Sequence, residues 1–189
     1  TTIYPNVILK GKTVIGENCT LTSGTHVEDC IIGHDTLINA SQCYQSNIGN
    51  KAKIGPFSHI RPNSNLSDHV KIGDFVEVKN SFLDVGVSVS HLSYVGDSAN
   101  GKNFNIGCGC VTVNYDGIHK FRCKVGNNAF IGCNTNLVAP VSVGDNAFIA
   151  AGSTITDTVP NEGFAVARAR QVTKEKLGGE KLKDYKTND

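Results

Sequence analysis

Aliphatic residues recur at six-residue intervals along most of the chain. Ile3, Leu9, Ile15, Leu21 and Val27 open the series. Ile48, Ile54, Ile60, Leu66, Ile72 and Val78 carry it through the middle, and Val125, Ile131, Leu137, Val143, Ile149 and Ile155 close it. Glycine follows the aliphatic position at 16, 33, 49, 55, 73, 96, 107, 126, 132 and 144. Four positions after it stands a small or β-branched residue, as at Thr13, Cys19, Thr25, Ser58, Ala129, Thr135, Ala147 and Ser153. A period of six fits neither the ~3.6 of a helix nor a two-residue alternation broken by hairpin turns. It is a hexapeptide repeat, and it predicts an all-β chain wound as a parallel β-helix.

Three hexads close one triangular coil, so residues about 18 apart stack on one face, neighbouring coils lie about 4.8 Å apart, and roughly nine coils give a prism about 40 Å long. The pattern resembles that of left-handed β-helices, a hand opposite to the usual right-handed crossover. Steps of five residues at 27→32, 78→83 and 95→100, and of four at 44→48, mark tightened corners. The step of 13 from Thr112 to Val125 is one hexad plus seven residues, which predicts a loop bulging out around 114–124. Asn100 occupies an aliphatic position, so either that corner is irregular or the stack carries a polar defect. The repeat stops after Val159-Pro160. The expected organisation is therefore a β-helix over 1–160 and an arm over 161–189, with a polar end from Lys174 to Asp189 that forms a weak helix or stays disordered.

Phasing the coils sorts the polar residues into columns. Arg61 and Lys79 each follow a corner aliphatic and are 18 apart, so they stack on neighbouring coils. Two such cations repel unless an anion lies against them; a phosphate suits, and a solvated basic patch or carboxylates of a neighbouring chain are the alternatives. Two positions after the corner runs a second column, Asp74, His91, Cys108, Cys133 and Ala151. It passes from a histidine into small residues, the form of a shallow groove for a narrow, extended ligand. A histidine at such a place is either a plain surface residue or a base. Glu77 and Tyr94 stack on one another near this column, where a carboxylate is in position to orient an imidazole.

Charge and composition narrow the partners. Lys and Arg total 18 against 17 Asp and Glu, a formal net charge of +1, which gives no reason to expect nucleic acid or an anionic membrane. No apolar run approaches the ~18 residues of a membrane-spanning helix, and no secretory signal opens the sequence. The absence of methionine predicts a processed chain or a piece of a longer one. Seven cysteines at irregular spacings suit a reducing, cytoplasmic setting better than a disulfide framework. Cys108 and Cys110 form a C-x-C without the companion ligands a metal site needs, so no metal is expected.

Several ordered motifs carry a resemblance: I-G-P-F-S-H-I-R-P (54–62), I-G-D-F-V-E-V-K (72–79), S-H-L-S-Y-V-G-D (90–97), N-I-G-C-G (105–109), V-N-Y-D-G (113–117), N-L-V-A-P-V (136–141), A-A-G-S-T-I-T (150–156) and A-R-A-R-Q (167–171). Together they resemble the C-terminal acetyltransferase domain of the bacterial bifunctional N-acetylglucosamine-1-phosphate uridyltransferase/glucosamine-1-phosphate acetyltransferase family. The resemblance runs from about Ile3 to Gln171. It implies a left-handed β-helix that forms homotrimers with active sites shared between subunits. It also implies acetyl transfer from acetyl-CoA to the amine of glucosamine 1-phosphate, on the way to UDP-N-acetylglucosamine for cell-wall precursors.

Position by position, the resemblance makes His91 the general base and Glu77 the acid that supports it. Arg61, Lys79, Tyr94, Asn105 and Lys120 match the sugar-phosphate binders. Cys108, Asn114, Tyr115, Cys133, Ala151 and Arg168 match the acetyl-CoA contacts. Cys108 and Cys133 stand where many relatives carry alanine and serine, and Asn63 replaces a frequent glycine. A thiol donates a weaker hydrogen bond than a hydroxyl, which puts any role of that hydroxyl in doubt here. The sequence carries no Gly-rich nucleotide loop and no βα alternation, so the uridyltransferase half and its Mg²⁺ site are expected in another part of the parent protein. Two rivals stand beside this reading. A non-catalytic trimerising β-helix needs neither His91 nor the columns. A zinc hydratase on the same fold needs three histidines from neighbouring subunits, and none of His26, His34, His59, His69, His91 and His119 form the close pair that requires.

Overall fold

The computed structural model describes residues 1–183. The chain winds into a left-handed parallel β-helix of three sheets, with ten, nine and eight strands. Consecutive short strands go to different sheets, and each pairs in parallel with the strands one coil before and one coil after it. The first face carries Lys71–Asp74, Ser88–His91, Asn105–Ile106, Phe130–Ile131 and Phe148–Ile149 in succession. The second carries His59–Ile60, Glu77–Lys79, Tyr94–Gly96 and Val111–Val113. The third carries Phe82–Leu83, Ser98–Asn100 and Cys123–Val125.

The six-residue beat becomes three buried columns. Ile54, Ile72, Val89, Ile106, Ile131 and Ile149 stack inside the first face, and Ile60, Val78, Val95, Thr112 and Leu137 inside the second. Ile48, Leu66, Leu83, Asn100 and Val125 fill the third. Asn100 is therefore a polar defect within the stack and not an irregular corner: it is buried between Leu83 and Val125, and its Oδ1 accepts from the Ser98 hydroxyl at 2.7 Å. In the first coil, Ile3 and Leu9 occupy core columns and are half exposed.

The companion positions have physical causes. Glycine follows the core aliphatic because coils approach closely there: a Cβ at Gly107 would lie 2.6 Å from the Cys133 backbone nitrogen. The small hydroxyl residues at the next corner are buried and satisfy carbonyls that the turn leaves orphaned. Ser58 donates to Gly73 O at 2.7 Å, Ser93 to Gly107 O at 3.2 Å and Thr135 to Gly132 O at 2.7 Å.

At the C-terminal end, Phe164–Ala165 pairs with Phe148–Ile149 and carries the stack past Pro160 to a tenth rung on the first face, one coil beyond the count that the repeat spacing gives. Leu177–Lys183 is a short helix with no buried residue, and the expectations for 184–189 lie outside the described residues. The loop predicted around 114–124 is present between Val111–Val113 and Cys123–Val125. It is pinned by an antiparallel bridge between Tyr115 and Lys120, and by Asp116 accepting from the backbone of Ile118 and His119 at 2.8 and 2.6 Å. The strand resumes at Cys123, just inside the span predicted for the loop, and Val125 takes the core position in register with Asn100 that the aliphatic count gives it.

Candidate functional site

The second face gathers three cations. Ile60 and Val78 are register partners, which sets Arg61 on the coil beside Lys79. The protruding loop then brings Lys120 against Lys79. The Lys120 ammonium beside it holds Lys79 below the ordinary lysine range, with burial and Arg61 pushing the same way and Asp97 opposing them. A like-charge contact of this kind favours an anion between the two ammonium groups. Arg61 Nη1 donates to Glu77 Oε1 at 2.7 Å, and both side chains are partly exposed.

Beneath the cations lies a buried carboxylate. Asp97 accepts from the side-chain amides of Asn80 and Asn114, and Asn114 Nδ2 also lies 3.3 Å from the Tyr94 hydroxyl. Asn114 is the root of the loop that delivers Lys120, so Asp97 ties the loop to the prism and sets a negative charge behind Lys79. Asp97 and Asn80 were not among the sequence candidates. Their signal was available, since Asn80, Asp97 and Asn114 are 17 apart, the length of one shortened coil.

The second column runs along the edge between the first and second faces. Asp74 and His91 are register partners. The ladder continues upward, with Asn134 N donating to Cys108 O and Gly152 N to Cys133 O, both at 2.8 Å. His91, Cys108, Cys133 and Ala151 therefore stand one above another. Arg168, far along the sequence, returns over the top of this column and donates to Ala151 O at 2.7 Å, beside a cleft of about 530 Å³ lined by Val166, Arg168, Ala169, Arg170 and Gln171. His91 is exposed, and its carbonyl accepts from Ser93 at 2.8 Å.

Not every candidate converges within one chain. Glu77 sits on the second face, in register with His59 and Tyr94, and its carboxylate is taken by Arg61. The acid in register with His91 is instead Asp74. Asn105 lies on the first face between Ser88 and Phe130, away from the cations. Tyr115 is exposed on the loop, where its hydroxyl donates to Gly117 O. His59, which the sequence reading passed over as a site residue, lies against this cluster. Burial lowers its pKa, Glu77 opposes that and Arg61 reinforces it.

Comparison with known proteins agrees with this architecture. A family profile described as bacterial transferase hexapeptide (six repeats) matches residues 122–157. Over 93% of its length the chain is 55% identical to the bifunctional protein GlmU of Geobacillus sp. (strain WCH70), and it is 56% identical to the bifunctional protein GlmU of Staphylococcus haemolyticus. The chain thus carries the hexapeptide repeat and is similar to the C-terminal region of GlmU. It spans 38% and 39% of those two relatives. Among solved structures, the UDP-N-acetylglucosamine acyltransferase from Campylobacter jejuni aligns with 96% of this chain and 78% of its own, at a TM-score of 0.62 and 14% identity. The UDP-N-acetylglucosamine O-acyltransferase from Moraxella catarrhalis aligns with 95% of this chain and 78% of its own, at 0.52 and 16%. These two likenesses concern the fold alone. The described residues contain no helix long and apolar enough to cross a membrane.

Proposed function

We propose that this chain transfers acetyl from acetyl-CoA to the amine of glucosamine 1-phosphate, giving N-acetylglucosamine 1-phosphate for UDP-N-acetylglucosamine synthesis in the cytoplasm. The observation that carries the reading is the contact of Lys79 with Lys120 beside Arg61. Such a cluster favours a compact anion of the kind a sugar phosphate presents, and the 55% identity to a GlmU protein supplies the substrate class.

In this reading the sugar phosphate lies against Arg61, Lys79 and Lys120, with Tyr94 and Asn105 on the sugar. The acetyl-CoA arm follows Cys108, Cys133 and Ala151 toward Arg168, with Asn114 and Tyr115 alongside. The lone pair of the neutral sugar amine attacks the thioester carbonyl while His91 takes the N–H proton, and the carbon–sulfur bond then breaks with that proton passed from the imidazolium to the leaving sulfur, so that coenzyme A departs as the thiol. Glu77 acts as the supporting acid within the assembled site. No metal takes part in this half-reaction; the uridyltransferase half and its Mg²⁺ belong to the parent protein.

The same reading has the site completed by neighbouring copies in a homotrimer. Phe57, Phe75 and Leu92 support this. All three are about 60% exposed at consecutive left-handed corners, and the two phenyl rings stack at 5.5 Å. Non-glycine residues in that conformation cost roughly 1–2 kcal/mol each. A row of large apolar side chains there, adjoining Asp74 and His91, suits a covered surface. It also accounts for a cationic cluster and an Asn105 that a single chain leaves apart.

The test is thiol release from acetyl-CoA measured with glucosamine 1-phosphate, glucosamine and other phosphorylated amino sugars. Turnover is expected with glucosamine 1-phosphate and to fall steeply without the 1-phosphate. Equal turnover with and without the phosphate, or none with any amine, overturns the assignment.

A further inference from the structure

The chain has seven cysteines, all free, and burial divides them into two classes. Cys19, Cys30, Cys43, Cys110 and Cys123 are buried in the prism. Burial pushes the Cys30 and Cys43 thiols up and the Cys123 thiol to about 11, so these sulfurs are poor nucleophiles. Cys133 is exposed and Cys108 half-buried, and these two stand on neighbouring coils of one column.

Their placement is closer than membership of a column requires. Asn134 N donates to Cys108 O at 2.8 Å, which makes the two cysteine backbones adjacent rungs. Rungs of a parallel sheet lie about 4.8 Å apart, inside the Cα–Cα range of about 4.4–6.8 Å that a disulfide spans. The Cys133 sulfur leans toward the lower rung, since a Cβ on Gly107, the residue before Cys108, would lie 2.9 Å from Cys133 Sγ. Cys110 is the third thiol nearby, but it is buried and donates to Gly132 O at 3.1 Å. Burial raises the Cys110 pKa, backbone hydrogen bonding at Thr135 opposes this, and the Cys133 and Cys108 thiols add to the rise, as expected for three sulfurs in one neighbourhood.

We infer that Cys108 and Cys133 are a paired modification site on the groove floor, which reacts with small disulfides and closes into a reversible Cys108–Cys133 bond. The more exposed Cys133, as the thiolate, attacks one sulfur of a low-molecular-weight disulfide R–S–S–R. A Cys133–S–S–R bond forms and one RS⁻ leaves. The Cys108 thiolate then attacks Cys133 Sγ and expels the second RS⁻. The two protein thiols give up two electrons, the small disulfide gains them, and the two thiol protons end on two RSH. Cys108 is the resolving thiol because Cys110 is buried and held by Gly132 O. The cross-link lies between His91 and Ala151 in the column, so it alters the floor offered to an extended ligand. This site goes beyond the acetyl-transfer reading and stands without it.

The experiment treats the full, assembled chain with 2-hydroxyethyl disulfide, quenches in acid, and maps peptides by mass spectrometry alongside a free-thiol count. The unsubstituted chain is expected to lose two of its seven thiols and yield a Cys108–Cys133 peptide pair that dithiothreitol reverses. Cys108→Ser should instead hold a persistent hydroxyethyl adduct on Cys133, and Cys133→Ser should give neither adduct nor cross-link under the same exposure. Thermal melts confirm that both variants fold, and the peptide map of the unsubstituted chain decides the question even if one does not. A persistent adduct on Cys133 with Cys108 present, a bond joining two chains, or reaction at the buried thiols first would each overturn the inference.

Discussion

The cationic cluster on the second face and the small-residue column along the edge are built by different means from the same coil. The column needs only the repeat: Asp74, His91, Cys108, Cys133 and Ala151 follow from coil length once the loop is removed, and backbone rungs hold them at a fixed spacing. The cluster needs a departure from the repeat. Lys120 reaches Lys79 only because seven extra residues leave the prism, and the buried Asp97 fastens the root of that excursion through Asn114. Charge is concentrated in one and nearly absent from the other. A uniform solenoid thus supplies a long, plain floor cheaply, while a place that recognises charge requires an insertion and a buried counter-ion to support it.

This contrast can be broken most sharply at His91, the imidazole of the column. His91→Ala is expected to lower turnover of acetyl-CoA with glucosamine 1-phosphate by about 10²-fold or more, with the KM of each substrate little changed. Steady-state kinetics on the assembled protein measures this. Unchanged turnover would remove the base from the column and leave it a floor only.

The cluster should respond differently. Lys79→Ala or Arg61→Ala removes a charged hydrogen-bonding partner of the kind worth about 1.5–3 kcal/mol, or roughly 10–100-fold in affinity. The expected change is a rise in the KM for the phosphorylated sugar, with the KM for acetyl-CoA nearly unmoved. Equal effects on both substrates would mean that the two regions are one site in energetic terms, and the division drawn here would fail.

The same division explains what the sequence made legible. The three core columns, the loop and the edge column depend on spacing, and spacing can be counted. The pairing of Arg61 with Glu77, the tie between Asp97 and its two asparagines, and the return of Arg168 over Ala151 depend on side-chain direction and on the course of irregular segments, which the repeat does not encode. Glu77 shows the limit most clearly. Its column position puts it near His91 in projection, yet it points across the second face to an arginine one coil away. The tenth rung was hidden for a related reason: Phe164–Ala165 keeps the strand pairing after Pro160 while giving up the bulky core aliphatic by which coils were counted.

The smallest effect tests whether charge couples within the cluster and not across to the column. His59 lies beside Glu77 and Arg61, and its pKa is held below 6.5 by burial, with Arg61 reinforcing the shift and Glu77 opposing it. A histidine depressed in this way takes up its proton more readily in the unfolded chain, so the unfolded state binds more protons as pH falls below about 6.5. Native stability is expected to decline over that window and to stop declining below the depressed native pKa; above 6.5 the residue contributes no slope. Arg61→Gln removes a cation and releases the Glu77 carboxylate, two changes that both favour imidazolium, so the His59 midpoint followed by NMR should move upward. Cys133→Ser, in the other column, should leave that midpoint where it is. If Arg61→Gln left the midpoint unmoved, or if the column variant shifted it equally, His59 would report its burial alone, and the electrostatic boundary between the two regions would have to be redrawn.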